Sequence, residues 1–398
     1  MRLTQTLLLT AAAILLATPS LATDVKIGVL NDRSGIYADL SGEGSVIAAR
    51  MAVEDFGAAA KGINVEIVSA DHQNKPDIAS NIARQWYDQE GVDLIVDVPT
   101  SSAAFAVSDI TREKNKVFIN SGAGSADLTG AKCSPNTIHW TYDTWALAKG
   151  TGGAMVAAGN TKWFFITADY AFGHSLEKDT ADLVKAAGGE VVGSVRHPFP
   201  GTDFSSFLLQ AQSSGAQVIG LANAGGDTVN TIKQAAEFGI TQGGQALAGL
   251  LIFITDVHAL GLQTAQGLVL TESFYWDLND ETRAWSERFA AQNGGKMPTM
   301  VHAGVYAGVL HYLKSVEATG GKDSAALMAS MKAMPTDDPL FGEGMVREDG
   351  RKIHDMYLFR VKAPEQSSGP WDYYEKLATI PAAEAFRPME DGGCELVD

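Results

Sequence analysis

Residues 93–128 read DLIVDVPTSSAAFAVSDITREKNKVFINSGAGSADL. From Asp93 to Val98 the run is apolar and β-branched, as a buried strand is, and Thr100-Ser101-Ser102 mark a turn. Ala103–Asn115 reads as a helix, and Lys116–Asn120 as a second buried strand that empties into the small-residue loop Ser121-Gly122-Ala123-Gly124-Ser125. A continuous apolar strand, a helix and another apolar strand make a parallel βαβ unit. In such sheets ligands sit beyond the carboxyl ends of the strands. Both ends here carry hydroxyls and backbone donors, and the positive end of the helix capped by Ser101 or Ser102 faces the same space. The stretch therefore predicts one wall of a cleft for a small polar or anionic molecule, with a carboxylate as the first expectation.

The same alternation extends outward in both directions. Upstream, Val25–Asn31 and Val65–Ala70 read as strands, with helices over 44–56 and from Lys75-Pro76 onward. Downstream, a short strand at Thr137–Thr141 precedes a restart of the pattern. Helix Thr144–Ala158 leads to strand Lys162–Ala168, helix Gly173–Ala187, strand Glu190–Val195 and helix Phe204–Ser214. Strand Gln217–Leu221, helix Thr228–Phe238 and strand Ala246–Ile254 complete this array. Two successive βα arrays of this kind are the signature of two doubly wound parallel-sheet lobes of the α/β class. The expected division is 23–142 plus 272–345 for lobe one, and 143–271 plus 346–398, with the C-terminal tail, for lobe two. Gly267–Thr271 reads as an extra strand returning to lobe one, followed there by helices over 281–293 and 300–318. Met356–Lys362 and Trp371–Ile380 read as late strands on either side of a Pro/Ser/Gly loop.

The chain opens MRLTQTLLLTAAAILLATPSLA, with a basic residue, a short apolar run and a small-x-small end, so residues 1–22 are expected to be a secretory signal peptide. Without Arg2 the formal charge moves from −17 to −18, 29 basic residues against 47 acidic. An acidic surface argues against nucleic acid or anionic membrane as a partner. Cys133 and Cys394 are an even pair in an exported chain, most simply one disulfide, and neither has His or Cys neighbours at metal-ligand spacing. No nucleophile elbow is present, and Gly42-Glu43-Gly44 lacks the third glycine of a dinucleotide loop, Ile47 standing there. Neither enzymatic activity nor a cofactor is expected.

The order of these pieces resembles the type I periplasmic solute-binding proteins, and within them the leucine/isoleucine/valine-binding family that serves ABC importers. The stretches that carry the resemblance are Val25–Leu30 with Ser34-Gly35, Thr100–Ile110, Asp127-Leu128-Thr129 and Asp169–Gly173. The resemblance implies a periplasmic protein, two lobes joined by hinge crossovers that close over a small ligand, an ABC permease in the inner membrane as partner, and a monomer. It also implies that Ser101 binds the ligand carboxylate, that Gly122 and Ala123 contact it through their backbone, and that Phe172 presses on it from lobe two. The family's usual threonine is replaced by Gly124, with Ser125 beside it. The acid that holds an amino acid's ammonium in this family has no counterpart before Asp256, in Ala248–Phe253. A buried ammonium without a carboxylate is costly. The expected ligand is therefore an aromatic or other organic acid rather than an α-amino acid, with Asp227 or Asp256 as the residues that would complete an amino-acid site.

Further candidates for the cleft are Thr100 and Ser102 beside Ser101, Tyr37 in the first βα loop, Tyr142 and Trp145 at the crossover, Tyr170, and Asn223 after a strand end. Asp227 also reads as an N-cap, and His302 and Tyr306 as packing residues on one helical face. The alternatives to an importer component for organic acids are an amino-acid binder and a sensory protein that reports its ligand to a membrane receptor.

Overall fold

The computed structural model describes residues 23–397, so the leader expected over 1–22 lies outside them. Lobe one begins with β1 (Thr23–Asn31), α1 (Gly42–Phe56), β2 (Ile63–Asp71) and α2 (Pro76–Gln85). It continues with β3 (Leu94–Asp97), α3 (Ser101–Glu113), β4 (Val117–Asn120) and β5 (Thr137–His139). The strands form one sheet in the order β2-β1-β3-β4-β5, parallel throughout. Leu94, Ile95 and Val96 are buried on both faces of it, which is why β3 reads as a continuous apolar run. Helix α3 starts at Ser101, two residues earlier than the apolar spacing suggests. Thr100 is the extended N-cap, and its carbonyl accepts the Ala104 N–H at 2.8 Å.

Lobe two repeats the pattern after a helical segment in which α4 (Thr144–Leu147) and α5 (Gly153–Ala157) flank a π turn over Ala148–Gly152. A Cβ on Gly150 would strike Thr271, so the wide turn lets helix and strand approach closely. Then follow β6 (Lys162–Ala168), α6 (Ala171–Ala186), β7 (Glu190–His197), α7 (Ser205–Ser213), β8 (Val218–Ala222), α8 (Gly226–Glu237) and β9 (Ala246–Gly249). Their sheet has the order β7-β6-β8-β9, again parallel. The last strand is shorter than expected. It ends at Gly249, and the apolar run continues as a buried loop into α9 (Ile254–Leu260) and then α10 (Leu262–Ala265).

The next strand, β10 (Val269–Glu272), does not return to lobe one. After α11 (Asp280–Gln292), α12 (Met300–Thr319), α13 (Ser324–Ala333) and the short β11 (Met345–Val346) and β12 (Lys352–Ile353), the chain forms β13 (Met356–Val361) and β14 (Tyr374–Ile380). β10, β13 and β14 make a three-stranded antiparallel sheet on lobe two. The cause is apolar packing, because Leu270 is buried with Phe359, Tyr374 and Tyr275 in the lobe-two core.

Helices α11, α12 and α13 cover lobe one, with α12 buried along most of its length against α1. The stretch 346–398 divides between the lobes. β11 pairs with β12, and Arg351 bridges to His139 and donates to the carbonyls of Trp140 and Tyr142 at 3.1 Å, all on the lobe-one side. Beyond β14, α14 (Ala382–Ala385) leads the tail back to lobe one, where Cys133 and Cys394 form the expected disulfide with Cα atoms 5.6 Å apart. The chain thus crosses between lobes near 142–144, 273–276, 354–356 and 381.

Gly304 sets the seat of α12 under the cleft. A Cβ there would overlap Thr141 and stand 3.0 Å from Ser121 Cβ. Overpacking of a close-packed site typically costs about 1–3 kcal/mol. Gly304→Val is expected to lower the urea midpoint by an amount in that range, and an unchanged midpoint would show that α12 can shift without cost.

Candidate functional site

Three strand ends in lobe one are pinned by polar side chains that belong to the strands themselves. Asp32, just past β1, accepts the N–H of Gly35 at 2.8 Å, the N–H of Tyr37 at 2.9 Å and the Asn74 amide at 2.5 Å. That turn projects Tyr37 over the cleft. At the end of β3, Asp97 and Val98 take left-handed backbone angles, φ 83° and 57°, which non-glycine residues seldom adopt. The Asp97 carboxylate accepts from Asn31 at 3.0 Å and Ser41 at 2.7 Å, and burial pushes it above the usual carboxylate range. Past β4, Asn120 satisfies its own loop. Its carbonyl oxygen accepts from Gly122 N–H (3.1 Å) and Ala123 N–H (2.9 Å), and its amide donates to the Ala123 carbonyl at 3.0 Å. His139 reaches the same carbonyl at 2.8 Å.

These contacts decide which backbone donors remain for a ligand. The N–H groups of Gly122 and Ala123 are engaged by Asn120, and the Gly122 carbonyl accepts the Tyr142 hydroxyl at 2.6 Å. The Ser125 N–H donates to Ser101 Oγ at 3.2 Å, and the Gly124 carbonyl accepts the Thr144 N–H at 2.8 Å. At Gly124 a Cβ would lie 2.9 Å from both Phe172 and Tyr142, so two aromatic rings fill the space a threonine would need. Ser101 is buried in the first turn of α3, whose leading N–H groups have no intrahelical acceptor. The Thr100 hydroxyl is bonded to Asn74, and Ser102 is half-buried beside them.

Between the lobes lies a tight cavity with room for about one water molecule, lined by Tyr37, Leu40, Pro99, Gly122, Tyr142, Tyr170, Phe172, Ala224, Leu251 and Phe253. Lobe one contributes its floor and lobe two its roof. The two lobes meet through the Tyr37 and Tyr170 hydroxyls, 2.6 Å apart, and through the Gly226 N–H donating to the Ile36 carbonyl at 3.4 Å. Phe199 stacks on Tyr170 with centroids 4.1 Å apart, and Phe253 meets Tyr142 edge-on at 6.1 Å. Burial, and for Tyr37 the adjoining Tyr170, holds the phenols of Tyr37, Tyr142 and Tyr170 well above their ordinary values, so all three are neutral donors.

Of the residues expected in the cleft, Tyr37, Gly122, Tyr142, Tyr170 and Phe172 line the cavity together. Thr100, Ser101, Ser102, Ala123, Gly124 and Ser125 are next to Pro99 and Gly122 in the chain but are not among the lining residues. Asn223 sits within lobe two, accepting from Thr228 at 2.7 Å and donating toward His197 and Thr231 at 3.2 Å, while its neighbour Ala224 faces the cavity. Trp145 faces a separate crevice with Lys178, Asp179 and Arg387. Asp227 is not an N-cap, because α8 begins at Gly226 behind Gly225. It accepts the Gly201 N–H at 2.9 Å, and its second oxygen has no hydrogen-bond partner, with His197 Nδ1 3.9 Å away. Asp256 accepts the Phe253 N–H at 2.9 Å in the first turn of α9. Leu251 and Phe253 were not foreseen, since an apolar run ending in Ile254 reads as one strand. The signal was Gly249, which ends the strand and puts both residues in the loop where ligands of parallel sheets sit.

Three acids of lobe two are buried near this cavity without a cationic partner. Burial pushes Asp227 and Asp256 up to about 7 and Glu272, bonded to the Tyr374 hydroxyl, well above its ordinary value. None of the residues lining the cavity is itself acidic.

Comparison with known proteins gives a consistent family. The family model described as periplasmic binding protein matches residues 24–369. The structure of a periplasmic binding protein from Burkholderia mallei is 54% identical, with a TM-score of 0.92 over 95% of this chain and 100% of that one. A branched chain amino acid ABC transporter periplasmic ligand-binding protein from Burkholderia xenovorans is 42% identical, with a TM-score of 0.83 over 94% and 99%. An ABC transporter solute binding protein from R. palustris, in complex with benzoate, is 25% identical, with a TM-score of 0.82 over 94% and 99%.

The raised carboxyls predict an inverted pH dependence of stability. Asp227 keeps in the folded state a proton that the unfolded chain releases near 3.8, so its contribution falls as pH rises from about 4 through 7. Asp227→Asn is expected to narrow the difference in urea midpoint between pH 5 and pH 8. An unchanged difference would show that the folded protein does not hold that proton.

Proposed function

The chain belongs to the periplasmic binding protein family, and on that premise we propose that it captures a small organic acid, an aromatic carboxylate in preference to an α-amino acid, for an ABC importer. The observation that carries this reading is the lining of the cavity, which offers five aromatic rings from Tyr37, Tyr142, Tyr170, Phe172 and Phe253 and no acidic side chain. An aromatic body fits such walls through offset and edge contacts. A carboxylate would be held at the lobe-one end by Ser101, whose hydroxyl accepts from Ser125 and keeps its own proton to donate, and by the leading N–H groups of α3. The Gly122 and Ala123 amides contribute less than the family resemblance implies, because Asn120 already occupies them.

Closure and binding are one process in this reading. Tyr37 from lobe one and Tyr170 from lobe two meet over the cavity, so a ligand that touches both lobes favours the closed form in which they bond. The closed, loaded form is what the permease receives. The role is binding and delivery, with no bond made or broken.

Amino-acid capture is the second reading, supported by Asp256 and Asp227 at the margin of the cavity. Each is a buried carboxyl without a cation, and an ammonium could recruit either one.

Calorimetry with benzoate, 4-hydroxybenzoate and leucine separates the two. Binding of the benzoates without leucine is expected, and binding of leucine alone would replace the reading with the second. A hydrogen bond to a charged group contributes about 1.5–3 kcal/mol, so Ser101→Ala is expected to weaken benzoate binding roughly 10- to 150-fold with the fold intact. Unchanged affinity would remove Ser101 from the site.

A further inference from the structure

The chain passes between the lobes four times, and the segment after the last passage is fastened covalently. β14 ends at Ile380 in lobe two, and only residues 381–385 separate it from Phe386, which is buried on lobe one with the Arg351 guanidinium 4.1 Å above its ring. Arg387 donates to the Ala126 carbonyl at 3.1 Å, and its own carbonyl accepts from Arg347 at 2.9 Å. Cys394 is then bonded to Cys133, also on lobe one. At the start of the span, the Ala382 N–H donates to Asp355 at 2.8 Å, beside the third crossing.

The span is short and folded. Four of its five residues form α14, and a helical turn advances about 1.5 Å per residue against roughly 3.3–3.6 Å for extended chain. Lobe two can therefore move away from Phe386 only a little before α14 must unwind or the anchors must lift. Across from the anchored tail, Arg387 and Asp391 face Trp145, Lys178, Asp179 and Asp182 of lobe two over an open crevice, so relative rotation of the lobes must also reshape this gap.

We propose that the C-terminal tail is a strap that limits opening of the cleft, and that the Cys133–Cys394 disulfide keeps it fastened. With the disulfide closed, Phe386 and Arg387 redock within a short loop at high effective concentration. With it open, the segment from 381 onward is no longer tied to Cys133 and must be ordered anew each time it docks. A less restrained protein spends more time open, and its apparent affinity falls by the fraction of closed form lost. The effect on affinity rests on the function proposed above, whereas the effect on opening does not.

The test compares oxidised protein, the same protein under reductant, and the Cys133→Ser/Cys394→Ser double variant, all without ligand, by small-angle X-ray scattering. Far-UV circular dichroism checks the fold. The radius of gyration is expected to be larger in both disulfide-free forms. A Gly-Ser-Gly insertion after Pro381 lengthens the span with the disulfide intact and is expected to have the same effect, which keeps the test decisive if the double variant does not fold. Calorimetry with benzoate is expected to show roughly three- to tenfold weaker binding in the same proteins. An unchanged radius of gyration in folded, disulfide-free protein would overturn the strap. A larger radius with no benzoate binding in any form would uphold the strap and refute the ligand reading.

Discussion

A parallel sheet buried on both faces leaves its chain reversals in a dry place, and every backbone N–H and C=O there must find a partner. In lobe one that demand is met by side chains at the strand ends themselves. Asp32 holds the turn that carries Tyr37; Asn31, held by Asp97, donates to the Gly42 carbonyl; and Asn120 closes the loop over Gly122 and Ala123. The cleft is built on these three residues. They fix its floor before any ligand arrives, and they decide which donors it can still offer.

The roof is organised by different forces. Lobe two contributes aromatic rings and buried carboxyls, and across the cleft it meets lobe one through the Tyr37–Tyr170 and Gly226–Ile36 hydrogen bonds and through aromatic contacts such as Tyr37 with Phe199. The acids Asp227, Asp256 and Glu272 sit in a medium that disfavours their charge, so they are better described as neutral hydrogen-bonding groups than as an anionic wall. That description is compatible with the carboxylate ligand proposed for this otherwise acidic protein. The fixed positive end of α3 lies on the opposite, lobe-one side.

Much of this architecture was legible in the chain. Apolar runs of strand length alternating with amphipathic stretches gave two parallel sheets, and the hydroxyl-rich turn after β3 with the glycine-rich loop after β4 located the floor of the cleft. The placement of individual side chains was not legible. Asn223 and Trp145 follow strand and crossover positions that look equivalent to those of Ala224 and Tyr142, yet a hydrogen-bond network draws Asn223 inward and Trp145 turns to the far crevice. Gly124 reads as a departure from the family pattern, and its reason appears only when the rings of Phe172 and Tyr142 are seen against it. The return of β10 to lobe two rather than lobe one depends on pairing with β13, almost ninety residues later, which no local pattern encodes.

The class of fold, the pairing of the two cysteines and the strand ends that border the cleft could be read from the chain, because periodicity, turn chemistry and cysteine count are local or countable properties. Which residues line the cavity, which acids are buried beside it and which lobe the tail holds emerged from the packed molecule. Those follow from contacts between residues distant in the chain, and burial sets both the geometry and the charge state of each group.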